Sequence, residues 1–147
     1  MTHILVVSND VVGLTDTLSV LGHAGYHARG ASTFAEARHR LAGRSPDLVI
    51  ADQRLGEYNG LHVILRARAR HPDLSAIVTT GAPDRGLEAD ATSLGVEWVL
   101  KPKDAKEWLA PVANVLAHSR VGRFPSVPRQ PRRDITSRYL EQASACA

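Results

Sequence analysis

Leu48-Val49-Ile50-Ala51-Asp52 is four apolar residues closed by a carboxylate, and its reading decides the fold. An unbroken apolar run of this length suits a strand buried on both faces, as in a parallel sheet, rather than an alternating half-wet strand. Ile4-Leu5-Val6-Val7, Ala76-Ile77-Val78-Thr79 and Val96-Glu97-Trp98-Val99-Leu100 read the same way. Tyr26 to Ala31 is a weaker strand, expected nearer an edge.

Helical patterns fill the gaps. Val11, Leu14, Leu18 and Leu21 repeat at spacings of three and four. Thr33-Phe34-Ala35-Glu36 has the form of a capping box ahead of Ala37 and Leu41. Leu61, Ile64 and Leu65 give a third apolar face, with Arg66, Arg68 and Arg70 expected on its wet side. Leu87, Ala91 and Leu94 give a fourth. Asp104 and Glu107 open a fifth helix carrying Trp108, Leu109, Val112, Val115 and Leu116. Gly25, Gly81 and Gly95 and the pairs Ser45-Pro46 and Ala82-Pro83 fall in the connections. Strand and helix thus alternate five times. The expected fold class is α/β, a (βα)5 doubly wound parallel sheet with helices on both faces.

The chain has 147 residues, 44% of them hydrophobic, and aromatics are only 5%, so the core must be aliphatic. The formal net charge is +3. Six arginines between 119 and 147 stand against Asp134 and Glu141, so the positive excess lies in a basic tail. Residues 1–118 form the expected domain. Residues 119–147 form a Pro/Arg-rich tail, extended over 120–133, with a short helix conceivable over 134–142. The single cysteine, Cys146, rules out an internal disulfide. No signal peptide is visible, and no apolar run approaches the roughly 20 residues of a membrane helix. A cytoplasmic location and no membrane contact are expected.

Open α/β sheets bind ligands at the carboxyl ends of their strands. Ser8, Asn9 and Asp10 follow the first run, Asp52 closes the third, Thr79-Thr80-Gly81 ends the fourth, and Lys101-Pro102 follows the fifth. Strand ends are often merely solvated. The ordered set, however, would bring a carboxylate, a hydroxyl and an ammonium to one rim.

Asp52, Gly60 eight residues on, Thr80-Gly81 and Lys101-Pro102 together resemble the response-regulator receiver domain, a flavodoxin-like fold, over residues 3–118. The resemblance implies a signalling module rather than an enzyme. It implies that Asp52 accepts a phosphoryl group from a histidine kinase or phosphotransfer protein in a phosphorelay. Mg2+ and Lys101 would offset the developing negative charge. Metal ligands would be Asp52, the backbone carbonyl of Arg54 and the residues after the first strand. Thr80 and Trp98 would be the switch pair. The family places two acidic residues where Ser8 and Asn9 stand. An amide oxygen can ligate a hard cation without adding charge, so magnesium binding is expected to be weak. Asp10 could reach the metal or cap the first helix.

Arg54 could pair with Asp52 or point to solvent. Gly60 is expected to sit in a turn of positive φ. The seven histidines lack metal-ligand spacing and read as structural or surface groups, and neither Ser119 nor Cys146 has a visible base partner. The tail could contact nucleic-acid phosphates or an anionic membrane, or simply be a solubilising end. A nucleic-acid role is the least favoured function.

The leading expectation is a single-domain response regulator whose surface, including Ala89, Ser93, Trp98 and Lys106, is read by a downstream protein, with a homodimer possible. The alternative is a pseudo-receiver: a phosphorylation-independent protein-binding module, suggested by Ser8 and Asn9.

Overall fold

The computed structural model describes residues 1–120. The basic tail and its conceivable helix over 134–142 lie outside the described residues, apart from 119 and 120 in the last helix. Five parallel strands, β1 (His3–Val7), β2 (His27–Ala31), β3 (Leu48–Asp52), β4 (Ser75–Thr80) and β5 (Glu97–Leu100), form one sheet in the order β2-β1-β3-β4-β5. The helices are α1 (Val11–His23), α2 (Phe34–Ala42), α3 (Gly60–Arg70), α4 (Arg85–Ser93) and α5 (Leu109–Arg120). The weak strand is an edge strand, as expected. Three of the four strong apolar runs occupy the interior, where both faces are covered, but the fourth is not buried on both faces: β5 is the opposite edge strand, with Glu97 and Leu100 exposed.

Successive strand residues point to opposite faces. Leu5, Val7, Val49, Ala51 and Val78 pack with residues of α2, α3 and α4. Ile4, Val6, Leu48, Ile50 and Ile77 pack with Leu14 and Leu21 of α1 and with Val112, Val115 and Leu116 of α5. Asp52 shares the parity of Leu48 and Ile50, so it leaves the sheet on the α1/α5 side.

Four further expectations are corrected. The fifth helix is split: a 3-10 turn, Ala105–Trp108, precedes α5. Pro111 supplies the reason. An α-helix begun at Ala105 would need its missing N–H, whereas in the first turn of a helix begun at Leu109 that donor would be an orphan anyway.

The capping box at α2 is half formed. Thr33 accepts from the Glu36 amide at 3.1 Å, but the Glu36 carboxylate reaches past the cap to the amide and hydroxyl of Ser32, both at 3.1 Å. A full reciprocal box forms at α3 instead, between Asn59 and His62.

Arg68 is not on the wet side. Its guanidinium donates to the carbonyls of Leu74, Leu94 and Gly95, tying the α3–β4 connection to the α4–β5 connection.

Gly60 does not have positive φ. The loop's positive φ is at Gly56, at 71°. Gly60 is required by proximity: a Cβ there would lie 2.6 Å from the Asp52 carbonyl oxygen and 3.0 Å from that of Ala51. The start of α3 is pressed onto the end of β3, which fixes the backbone carrying Asp52.

Candidate functional site

The carboxyl ends of β1, β3, β4 and β5 enclose an open cleft whose lining includes Asn9, Asp52, Arg54, Thr79, Thr80 and Lys101. Its floor is set by strand register. Asp52 pairs with Thr79, and the Gln53 amide donates to the Thr79 carbonyl at 2.9 Å, extending the sheet one residue beyond the carboxylate.

Asp52 is half-buried and accepts two bonds on the same oxygen. Ser8 Oγ donates to Asp52 Oδ2 at 2.5 Å, and Lys101 Nζ lies 3.4 Å from that atom. Ser8 is buried, at 4% exposure. Its hydroxyl oxygen also accepts from the Asp10 amide at 3.2 Å, which fixes the direction in which its proton points.

Asp10 takes the capping place and also turns to Lys101. Oδ1 accepts from the Gly13 amide at 3.2 Å as the N-cap of α1, and Oδ2 lies 3.4 Å from Lys101 Nζ. The Gly13 amide, and after it the Lys101 ammonium, hold the Asp10 carboxyl below the usual carboxylate range. One lysine therefore bridges Asp10 and Asp52. Lys101 is held in place by its own amide, which donates to the Thr80 carbonyl at 2.7 Å.

The switch candidates are joined to each other rather than to Asp52. Thr80 Oγ1 donates to the Ala82 carbonyl at 2.7 Å and accepts from Trp98 Nε1 at 3.2 Å. Trp98 is half-buried against the α4-side core. Asn9 and Arg54 are exposed at the cleft wall, and among the described residues Arg54 makes no ion pair with Asp52. Ala89 and Lys106 are exposed, and Ser93 is half-buried.

Whether these residues suit a divalent cation is decided by their donors. Two carboxylates converge on one position of positive charge, that of Lys101 Nζ, and Asn9 and Arg54, which line the same cleft, carry neutral hard oxygens of the kind such a cation accepts. Among the described residues there is no cluster of three or more His, Cys, Asp or Glu able to hold a metal. The set fits a magnesium ion with fewer anionic ligands than an all-acidic pocket.

Sequence reasoning treated Ser8 only as a missing acid and did not foresee its bond to Asp52. The available signal was its place directly after β1, beside the strand that carries Asp52.

The family model for the response regulator receiver domain matches residues 4–113. The acid tolerance regulatory protein ActR of Sinorhizobium medicae is 32% identical over 108 residues, covering 73% of this chain and 56% of that protein. The chain spans less than a third of several other curated transcriptional regulators that it matches. A CheY-like receiver domain protein of Methanospirillum hungatei superposes with a TM-score of 0.76 at 21% identity, covering 82% of this chain and 98% of that one. The response regulator TrrA of Thermotoga maritima, solved with Mg2+ and BeF, gives 0.68 at 26% identity, over 78% of this chain and 99% of that one.

Proposed function

The chain belongs to the response regulator receiver domain family, and on that premise we propose that Asp52 accepts a phosphoryl group from the phosphohistidine of a kinase or phosphotransfer protein. The observation that carries this reading is the placement of Lys101 Nζ 3.4 Å from Asp52 Oδ2, beside a cleft also lined by Thr80. A carboxylate oxygen of Asp52 bonds to phosphorus, the phosphorus–nitrogen bond breaks, and the departing imidazole nitrogen takes up a proton. Oδ2 is already engaged by Ser8 and Lys101, which leaves Oδ1 as the freer nucleophile. Lys101 offsets the charge that builds on the phosphoryl oxygens. A magnesium ion, held by Asp52, Asp10, the Asn9 amide and the Arg54 carbonyl, would add the same kind of neutralisation when bound.

The readout follows from Thr80. Its hydroxyl now donates to the Ala82 carbonyl. Donating instead to a phosphoryl oxygen requires the side chain to turn, and the Trp98 indole N–H bonded to it must follow or lose its acceptor. Such a rearrangement biases the surface around Ala89, Ser93, Trp98 and Lys106 between two states, which a downstream protein or a second copy of the chain can distinguish. The chain acts in this reading as a signalling module and catalyses no turnover on a separate substrate. No nucleic-acid contact is assigned to residues 1–120; transcriptional regulation is what the longer relatives are named for.

The bond from Ser8 to Asp52 favours a second reading. A 2.5 Å hydroxyl contact and a bridging lysine satisfy Asp52 without metal or phosphate, as a phosphorylation-independent binding module requires. Intact-mass analysis after incubation with magnesium and a small phosphodonor, beside Asp52→Asn, separates the two. A gain of one phosphoryl group that the variant lacks supports the first reading. No gain at high magnesium, even with a partner phosphotransfer protein present, supports the second.

A further inference from the structure

A second polar site lies at the opposite end of the sheet, one strand length or about 15 Å from the Asp52 cleft. The amino ends of β1 and β2, α2 and the α2–β3 connection surround a small, open pocket of about 30 Å³ whose polar lining is His3, His27, Arg29, Arg40 and Arg44. Every charged side chain in that lining is basic. The two imidazoles stand edge to face with centroids 4.8 Å apart. Arg29 Nε donates to Nε2 of His27 at 3.3 Å, and Arg40 Nε donates to the Gly30 carbonyl at 3.1 Å, so both arginines are fixed on the pocket wall.

Counter-charge is scarce. Asp47, the nearby carboxylate, turns to the chain and accepts the His3 amide at 2.8 Å. Glu36 meets only Arg40, at 3.9 Å, and otherwise holds Ser32. Arg29 and Arg44 have no carboxylate partner among the described residues. Burial, Arg44 and His27 in turn depress the basicity of His3, and the opposing pull of Asp47 does not offset them. Like charges held together without compensation oppose folding. A concave arrangement of three guanidiniums and two imidazoles offers forked donors matched to the oxygens of a tetrahedral dianion.

We infer that this pocket is a binding site for the phosphate-monoester dianion of a small molecule, separate from the Asp52 cleft and independent of its chemistry. The test uses the full chain without magnesium and follows the ring signals of His3 and His27 by NMR while inorganic phosphate, and then phenyl phosphate, is added at constant ionic strength. The expected result is a saturable shift of both rings with each phosphate. It should weaken about tenfold or more in Arg44→Ala and in Arg29→Ala, persist in Asp52→Asn, and be absent with sodium acetate. Unchanged amide spectra elsewhere show that the exposed-arginine variants still fold. A shift that never saturates, that acetate reproduces, or that survives Arg29→Ala/Arg44→Ala overturns the site. A shift lost in Asp52→Asn places the phosphate in the other cleft and overturns it equally.

Discussion

Ser8 Oγ lies 2.5 Å from Asp52 Oδ2 and donates its proton to it. A neutral hydroxyl thus stands beside the carboxylate where another carboxylate would repel it and draw in a cation. Ser8→Asp is expected to raise magnesium affinity by roughly tenfold or more, because ligand charge count sets affinity for hard cations. Magnesium titration followed by Trp98 fluorescence or by NMR checks this. Equal affinity in the two proteins would show that Ser8 does not limit metal binding.

The Trp98 to Thr80 bond gives a second expectation. Trp98→Phe keeps a ring against the core and removes the indole N–H, at a cost of about 1 kcal/mol. The Thr80 hydroxyl then turns without its partner. Phosphorylation of Asp52 should still occur while the spectral change it causes near Ala89 and Lys106 shrinks. Urea denaturation and amide spectra before and after phosphodonor addition read the two effects separately.

Arg68 holds three carbonyls from one half-buried guanidinium. Burial lowers the basicity of that group, yet it stays charged at neutral pH. Arg68→Met keeps the apolar stem and abandons the carbonyls, so a loss of about 2–4 kcal/mol is expected in chemical denaturation. A loss below 0.5 kcal/mol, the scale of an ordinary surface change, would contradict the tie between the two connections.

Gly60→Ala would place a methyl group 2.6 Å from the Asp52 carbonyl oxygen. The start of α3 must then move off β3, with an expected cost of about 1–3 kcal/mol. Phosphoryl uptake by Asp52 should fall as well, since the same carbonyl belongs to the acceptor residue. Stability and intact mass are measured on the same variant.

Acid sensitivity follows from two depressed carboxylates. Ser32 lowers Glu36 chiefly through its amide, and the Gly13 amide lowers Asp10. A carboxyl whose folded pKa is lowered stabilises the fold above its unfolded value, 4.5 for Glu36 and 3.8 for Asp10, and that stabilisation is lost as pH falls through the lower folded value. The stability of the wild type should therefore fall below about pH 4.5, and Glu36→Gln should flatten that fall. Denaturation midpoints at pH 6 and pH 3.5 provide the comparison.

Strand identity, the parallel alternation of strand and helix and the residue types at the rim were legible in the sequence; the edge position of β5, an apolar run like those of the interior strands, was not. Runs such as Leu48 to Ala51 can be buried only with both faces covered, and a parallel sheet then carries Asp52, Thr80 and Lys101 to one edge. The edge position of β2 was legible for the same reason, since His27 and Arg29 spoil its apolar run. The split at Pro111 was legible in principle from the missing donor.

What tertiary structure alone decided are contacts between residues distant in the chain. Ser8 meets Asp52 across 44 positions, and Arg68 meets Gly95 across 27. Gly60 answers to a carbonyl that only chain packing brings near, not to its own dihedral angles. The basic pocket joins two strand starts with a connection from elsewhere in the chain. Local pattern fixes which face a residue presents; which partner stands opposite depends on the register of β1 against β3 and on the seating of α2 and α3, and no local spacing encodes either.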